Sequence, residues 1–159
     1  MTGVQRVVIL GRGGAGKSTV ARRLGEVIGL PVVELDTVFW DADLRPTPPE
    51  AWAARQEQLA AGDRWILDGD LGARDVLDVR MARADTVVVL DLPVWRCAWR
   101  AWRRSPERAD FWWWLVTWRW RSRPALMAAV HRWAPVAESH VLRSQAAIDA
   151  FVARCSAGD

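Results

Sequence analysis

The sequence predicts an α/β fold, a parallel β-sheet covered by helices on both faces. Three observations carry this. Strand-like and helix-like segments alternate along the chain. The strand-like segments are continuous apolar runs, RVVIL at 6–10 and TVVVL at 86–90 above all, and strands of that kind are buried on both faces. The first run leads through a glycine-rich loop into a segment with apolar residues at helical spacing.

Each element has its own signal. RVVIL at 6–10 predicts the first strand. Val20, Leu24, Val27 and Ile28 then recur at helical spacing, and Gly29 stands where a helix C-cap belongs. PVVEL at 31–35 predicts strand two. Pro48 and Pro49 open a helix running to about Ala61, with Gly62 ending it. WIL at 65–67, before Asp68, predicts strand three, and 76–81 a short helix. TVVVL is strand four. Pro93 opens an arginine-rich helix to about Arg104, and SPERAD at 105–110 breaks it. Two helices are expected next, 111–122 and 124–133, parted by Pro124. HVLR at 140–143 predicts the last strand, and Ser144 caps a closing helix. With no internal repeat and no linker, the 159 residues predict one domain.

Composition narrows the function classes. A net charge of +3 and a pI near 9.6 are too mild for a dedicated nucleic-acid binder. The positive charge concentrates between Arg96 and Arg132, which suits a local anionic ligand. Cys97 and Cys155 lack metal-ligand spacing and predict a reducing compartment; with no N-terminal signal visible, the expected location is the cytoplasm.

The loop GRGGAGKST at 11–19 admits two fingerprints. Gly11, Gly13 and Gly16 fit G-x-G-x-x-G, the dinucleotide pattern, with Glu34 and Asp36 as the acid about twenty residues on. Gly11, Gly16, Lys17 and Ser18 also fit G-x-x-x-x-G-K-[ST], the phosphate loop. Lysine decides between them. The chain holds 22 Lys plus Arg, and Lys17 is its one lysine. A phosphate loop needs a compact point charge reaching the β- and γ-phosphates, where a forked guanidinium is bulkier; a dinucleotide loop has no use for it. Gly13, Gly14, Ala15 and Gly16 then offer backbone N–H groups to phosphate at a helix N-terminus. Ser18 is the expected Mg²⁺ ligand and Thr19 reaches the α-phosphate.

Two strands end in apolar-apolar-Asp, at Asp68 and Asp91, and either pattern fits the acid that holds the Mg²⁺ water shell. The pattern alone does not choose: Asp91 precedes Leu-Pro and also reads as a helix cap, Asp68 precedes Gly69 and Asp70, a polar, flexible end suited to a ligand, and Asp68 is favoured only when this is taken with the resemblance given below. Asp36, just past strand two, reads equally as a base for a substrate hydroxyl or as a helix N-cap.

Together GRGGAGKST, VVELDTVFW, WILDGD, VVVLDLP and the late RSRP resemble the small nucleotide-kinase superfamily over nearly the whole chain. Within it they are most similar to adenylate-kinase-related proteins known as DNA topology modulation proteins. The resemblance implies a P-loop NTPase fold of the nucleoside-monophosphate-kinase type, with five parallel strands in the order 2-3-1-4-5. It implies that Asp68 matches the Asp-Gly acid, Arg100 the arginine stacking on adenine, and Arg104 the first arginine of a short lid near 104–110. Arg119, Arg121 and Arg123 match lid-side arginines that clamp transferring phosphates, and Arg143 to Gln145 lie near adenine. The match departs after Asp68, where Gly69-Asp70-Leu71-Gly72 replaces Gly-Phe-Pro-Arg. No phosphate-gripping arginine motif occurs between 36 and 75, where Arg45, Arg55 and Arg74 stand alone, and Asp36 resembles the acceptor-side aspartate of shikimate- and gluconate-type kinases.

The stretch FWWWLVTWRW at 111–120 belongs to a chain with 12 tryptophans and no tyrosine. Arg119 arrives too soon for a membrane span, which needs about 20 apolar residues. The stretch predicts a helix packed on the sheet with arginines against indoles; a homodimer surface and a membrane-interface helix are the other readings. The expected function is ATP- and Mg²⁺-dependent phosphoryl transfer to a small acceptor, the alternative a nucleotide-binding regulator with little turnover.

Overall fold

The computed structural model describes residues 3–104, 106 and 108–158, without the side chain of Ala73. Ser105 and Glu107, within the expected lid, lie outside the described residues. Five parallel strands form one sheet: β1 (Arg6–Gly11), β2 (Val32–Glu34), β3 (Trp65–Asp68), β4 (Thr86–Leu90) and β5 (Glu138–Leu142), in the order β2-β3-β1-β4-β5. This is the expected P-loop kinase order. It puts β3 between β1 and β2, whereas a dinucleotide fold keeps β2 beside β1.

The unbroken apolar runs reflect burial of both sheet faces. Along β1, Val7 and Ile9 point to one side, where α1 (Lys17–Ile28) and α7 (Gln145–Ala157) supply Leu24, Ile28, Ile148 and Phe151. Val8 and Leu10 point to the other side. There α3 (Pro49–Ala60), α4 (Leu77–Met81) and α6 (Ala109–Trp133) supply Trp52, Met81, Trp118 and Val130. Register across the centre is fixed by Ile9 opposite Asp68 and by Gly11 opposite Leu90, so the glycine loop and Asp68 leave the sheet at neighbouring points on one edge.

Three elements differ from expectation. The residues after β2 form a short helix, α2 (Leu35–Phe39), because Leu35 and Phe39, one turn apart, both bury. Its N-cap position is Glu34, so Asp36 sits inside the first turn and is not the cap. The two helices expected around Pro124 are one, α6. Proline removes one backbone bond there, but Trp118, Leu126 and Val130 bury in one core on both sides of it, and tertiary packing of that stripe outweighs the local defect. The last strand starts two residues earlier than expected and ends at Leu142, leaving Arg143 beyond it. Ser144 caps α7 as expected, its hydroxyl accepting from the Ala147 amide.

Candidate functional site

The site begins with the turn between β1 and α1. Gly16, at φ 85°, is the N-cap of α1 and turns the chain so that the helix opens toward the loop. Gly14 is required by a neighbour as well as by its φ of 73°: a β-carbon there would stand 2.3 Å from the Cys97 carbonyl oxygen. Cys97 lies on α5 (Val94–Arg104), whose backbone therefore presses directly on the loop. Lys17 folds back along it, Nζ donating to the carbonyls of Gly11 (3.1 Å) and Arg12 (3.3 Å). Arg100, also on α5, donates from Nη1 to the Ala15 carbonyl at 3.2 Å.

Around this loop opens a cavity of about 740 Å³. Its floor is the loop from Gly13 to Thr19, and its walls differ sharply in charge. On the β2–β3 side stand Glu34, Asp36, Asp68 and Asp70; on the β4–β5 side stand Arg100, Arg104, Gln145 and Ile148. Phe111 and Trp114, one helical turn apart at the start of α6, complete the wall and press on Gly13, where a β-carbon would stand 2.8 Å from Trp114 and 2.9 Å from Phe111.

Asp68 is 3% exposed and stands close to the Ser18 side chain, while its Oδ1 has no hydrogen-bond partner among the described residues. Burial pushes its carboxyl above the ordinary value, with Ser18 and the Lys17 charge opposing. An unpartnered carboxylate oxygen beside a serine hydroxyl at a helix N-terminus fits the chemistry of a Mg²⁺ site that is completed by phosphate and water. Asp36 is likewise raised by burial, with Lys17 opposing and the carboxylates of Asp70 and Asp75 adding to the shift.

Lys17, Ser18, Thr19, Asp36, Asp68, Arg100 and Arg104 thus meet in one cavity. Asp91 does not line it. Its carboxylate accepts from Arg123 Nε at 2.9 Å and lies 3.6 Å from Arg143 Nε, which puts both of those arginines at Asp91. Arg119 is exposed and lies outside the cavity lining. Of the tryptophans in 111–120, Trp118 is buried, Trp112 and Trp114 are half-buried, and Trp113 and Trp120 are exposed.

Sequence reasoning missed three features. Glu34 and Asp70 line the cavity, whereas the sequence marks Glu34 only as an alternative ribose acid and Asp70 only as a polar flank. Phe111 and Trp114 reach the loop; their spacing of three was visible but unassigned. Arg12, an unconstrained position of the loop motif, is 3% exposed and stacks over the Trp118 ring at 5.1 Å. Burial lowers its pKa, with Asp91 opposing.

No family model and no curated protein sequence matches the chain. Solved structures do. A shikimate kinase from Acinetobacter baumannii in complex with shikimate is 19% identical, with 95% of this chain and 90% of that one covered and a TM-score of 0.59. A sugar kinase from Janibacter sp. HTCC2649 is 20% identical, covering 95% and 91%, at 0.60. A deoxyadenosine kinase from M. mycoides with bound dATP is 12% identical, covering 94% and 98%, at 0.60. At these identities the likeness is one of fold: the chain has the fold of the P-loop kinases.

Proposed function

We propose that the protein is an ATP-dependent phosphotransferase acting on a hydroxyl of a small acceptor. The observation that carries this reading is the convergence of Lys17, Ser18, Asp68 and Asp36 on one cavity at the N-terminus of α1. The triphosphate lies along the loop, taken by backbone N–H groups from Gly13 to Thr19. Lys17 leaves the Gly11 and Arg12 carbonyls for the β- and γ-phosphate oxygens. Ser18 and Asp68 hold Mg²⁺, which when bound neutralises charge on those phosphates. Arg100 stands where adenine would lie, and Arg104 offsets charge on the transferring group.

On the opposite side Asp36 accepts the acceptor's hydroxyl proton as that oxygen bonds to the γ-phosphorus and the bond to the β–γ bridging oxygen breaks. ADP leaves with the bridging electron pair. Phe111 and Trp114 shield the transferring group from water. Positioning and charge compensation carry most of the acceleration. Arg119, Arg123 and Arg143 support the site from Asp91 and the surface of α6 and do not touch the reacting atoms.

The test is transfer from γ-labelled ATP with Mg²⁺ to pooled small hydroxyl compounds, with Lys17→Ala as control. A labelled product lost in the variant supports the reading. ATP bound without any labelled product favours the nucleotide-binding regulator, the function suggested by the resemblance to topology modulation proteins, and salt-dependent DNA binding is then measured.

A further inference from the structure

Two neighbouring helices carry tryptophan on the side that the core does not use. On α5, Trp95, Trp99 and Trp102 stand at intervals of four and three; on α6, Trp113, Val116 and Trp120 stand at intervals of three and four. These five tryptophans are between 55% and 73% exposed, in a chain that buries Trp52, Trp65 and Trp118. Each stripe lies opposite the buried side of its own helix, which is Cys97 and Ala101 on α5 and Leu115 and Trp118 on α6. Cys97 and Leu115 share one core cluster, so both stripes point outward from the same layer of the molecule. None of the five tryptophans lines the cavity.

The charges along these stripes are of one sign. Arg96 and Arg103 stand three before and four after Trp99, and Arg119 and Arg121 flank Trp120 on either side of its helix. Arg103, Arg119 and Arg121 are exposed, and none of the four arginines is in an ion pair among the described residues. Asp110, the single carboxylate among the described residues from 94 to 123, pairs with Arg108 at 3.3 Å. A second copy of the chain would set this face against itself, since a two-fold interface repeats one surface, and arginine would meet arginine with no carboxylate to pair. Single-stranded nucleic acid needs free ring faces on which to stack its bases. Here the Trp99 and Trp102 rings lie 5.5 Å apart with 36° between their planes, and Arg103 stands 5.7 Å from the Trp99 centroid, so these faces are partly taken. An anionic bilayer accepts both components: indoles sit at headgroup level, and arginines attract the anionic lipid. No helix among the described residues is long and apolar enough to cross a membrane, so the contact is one of lying on the bilayer.

We propose that the outward face of α5 and α6 docks on a bilayer surface rich in anionic phospholipid, with the five tryptophans in the headgroup layer and the four arginines against lipid phosphates. The docked face lies beside the cavity, because Arg100 and Arg104 of α5 and Phe111 and Trp114 of α6 line it. Docking stands apart from the phosphotransferase reading and holds whether or not the cavity transfers phosphate.

The experiment sediments the full chain with vesicles of phosphatidylcholine alone and of an equal mixture of phosphatidylcholine and phosphatidylglycerol. Binding should be at least about tenfold tighter to the mixed vesicles and should weaken as salt rises. Brominated acyl chains in the mixed vesicles should quench indole emission, which charge attraction alone does not produce. The combined variant Trp95→Gln, Trp99→Gln, Trp102→Gln should lose about tenfold or more of the vesicle binding and much of the quenching. Its circular dichroism and Tm should stay near wild type, since all three side chains are exposed. Trp113→Gln with Trp120→Gln is the second variant, on the other helix, and should act in the same direction. Equal binding to the two vesicle types, binding to neither, or folded variants that bind as wild type overturns the proposal. No vesicle binding with a dimer that the variants dissolve assigns the face to a second copy. No vesicle binding with indole quenching by single-stranded DNA assigns it to nucleic acid. Either result overturns the proposal as well.

Discussion

Arg80 grips Asp75 with both ends of its guanidinium, Nη1 donating to Oδ1 at 2.8 Å and Nη2 to Oδ2 at 2.7 Å, and neither side chain is exposed. Nη2 also donates to the Gly69 carbonyl at 2.8 Å, and Gln56 closes the network by donating to Asp75 at 2.9 Å. The pair thus ties α3 and α4 to the residue that follows Asp68. Breaking one partner leaves a buried charge uncompensated, so Arg80→Met should cost about 3–5 kcal/mol and show as a drop in Tm. The double variant Arg80→Met, Asp75→Leu should recover much of it, because the apolar pair buries no charge.

The same pair sets an acid limit on stability. Burial alone pushes the Asp75 carboxyl up, but the hydrogen bonds and charge of Arg80 outweigh it and hold the group below its ordinary range. A folded value below the unfolded one stabilises the protein above the unfolded pKa, and that contribution is lost as pH falls through the folded value. The urea midpoint should decline below about pH 4, and the decline should be shallower in Asp75→Asn.

Lys17→Ala removes the charge held over the loop without touching the core. Phosphoryl transfer should fall by about 10²–10³-fold while Tm moves little. A variant that loses activity and stability together would place Lys17 among the structural residues instead.

Asp36 must be ionised to take a proton. Burial raises its carboxyl above the ordinary value of 3.8, so the acid limb of kcat/KM should lie at higher pH than that, with activity rising as pH increases through it. Asp36→Asn should cost about 10²–10⁴-fold and abolish this limb, measured as a pH–rate profile.

Gly14→Ala sets a side chain against the Cys97 carbonyl at a backbone angle that L residues resist. Strain of about 1–3 kcal/mol is expected, with weakened ATP binding, since α5 or the loop must give way. By contrast Pro124→Ala should raise Tm. The helix already runs through this position, and restoring its backbone bond outweighs the extra freedom of the unfolded chain by about 1–2 kcal/mol.

The sheet was legible because burial on both faces leaves a plain mark: every position of TVVVL is apolar or small, and every one is buried. The phosphate loop was legible because one lysine and spaced glycines have few alternative uses. Other parts were silent for physical reasons. Five residues, LDTVF, are too short to display a period, so α2 emerged only through the burial of Leu35 and Phe39. Pro124 argues locally for a break that buried Trp118, Leu126 and Val130, on both sides of it, overrule. Asp68 and Asp91 end similar strands, and only three-dimensional pairing separates them. Arg123 and Arg143 come to Asp91 from α6 and from the segment after β5, far along the chain.

The continuity of α6 ties ligand access to the interior. Phe111 and Trp114 press on Gly13, while Trp118, Leu126 and Val130 of the same rod are locked into the sheet's covering layer. A 25-residue helix is roughly 37 Å long, and the two rings sit on the same turns of it that lead directly into buried Trp118. Any ligand that displaces the two rings therefore levers on the packing behind them, and the indoles along the rod supply a spectroscopic signal of that strain.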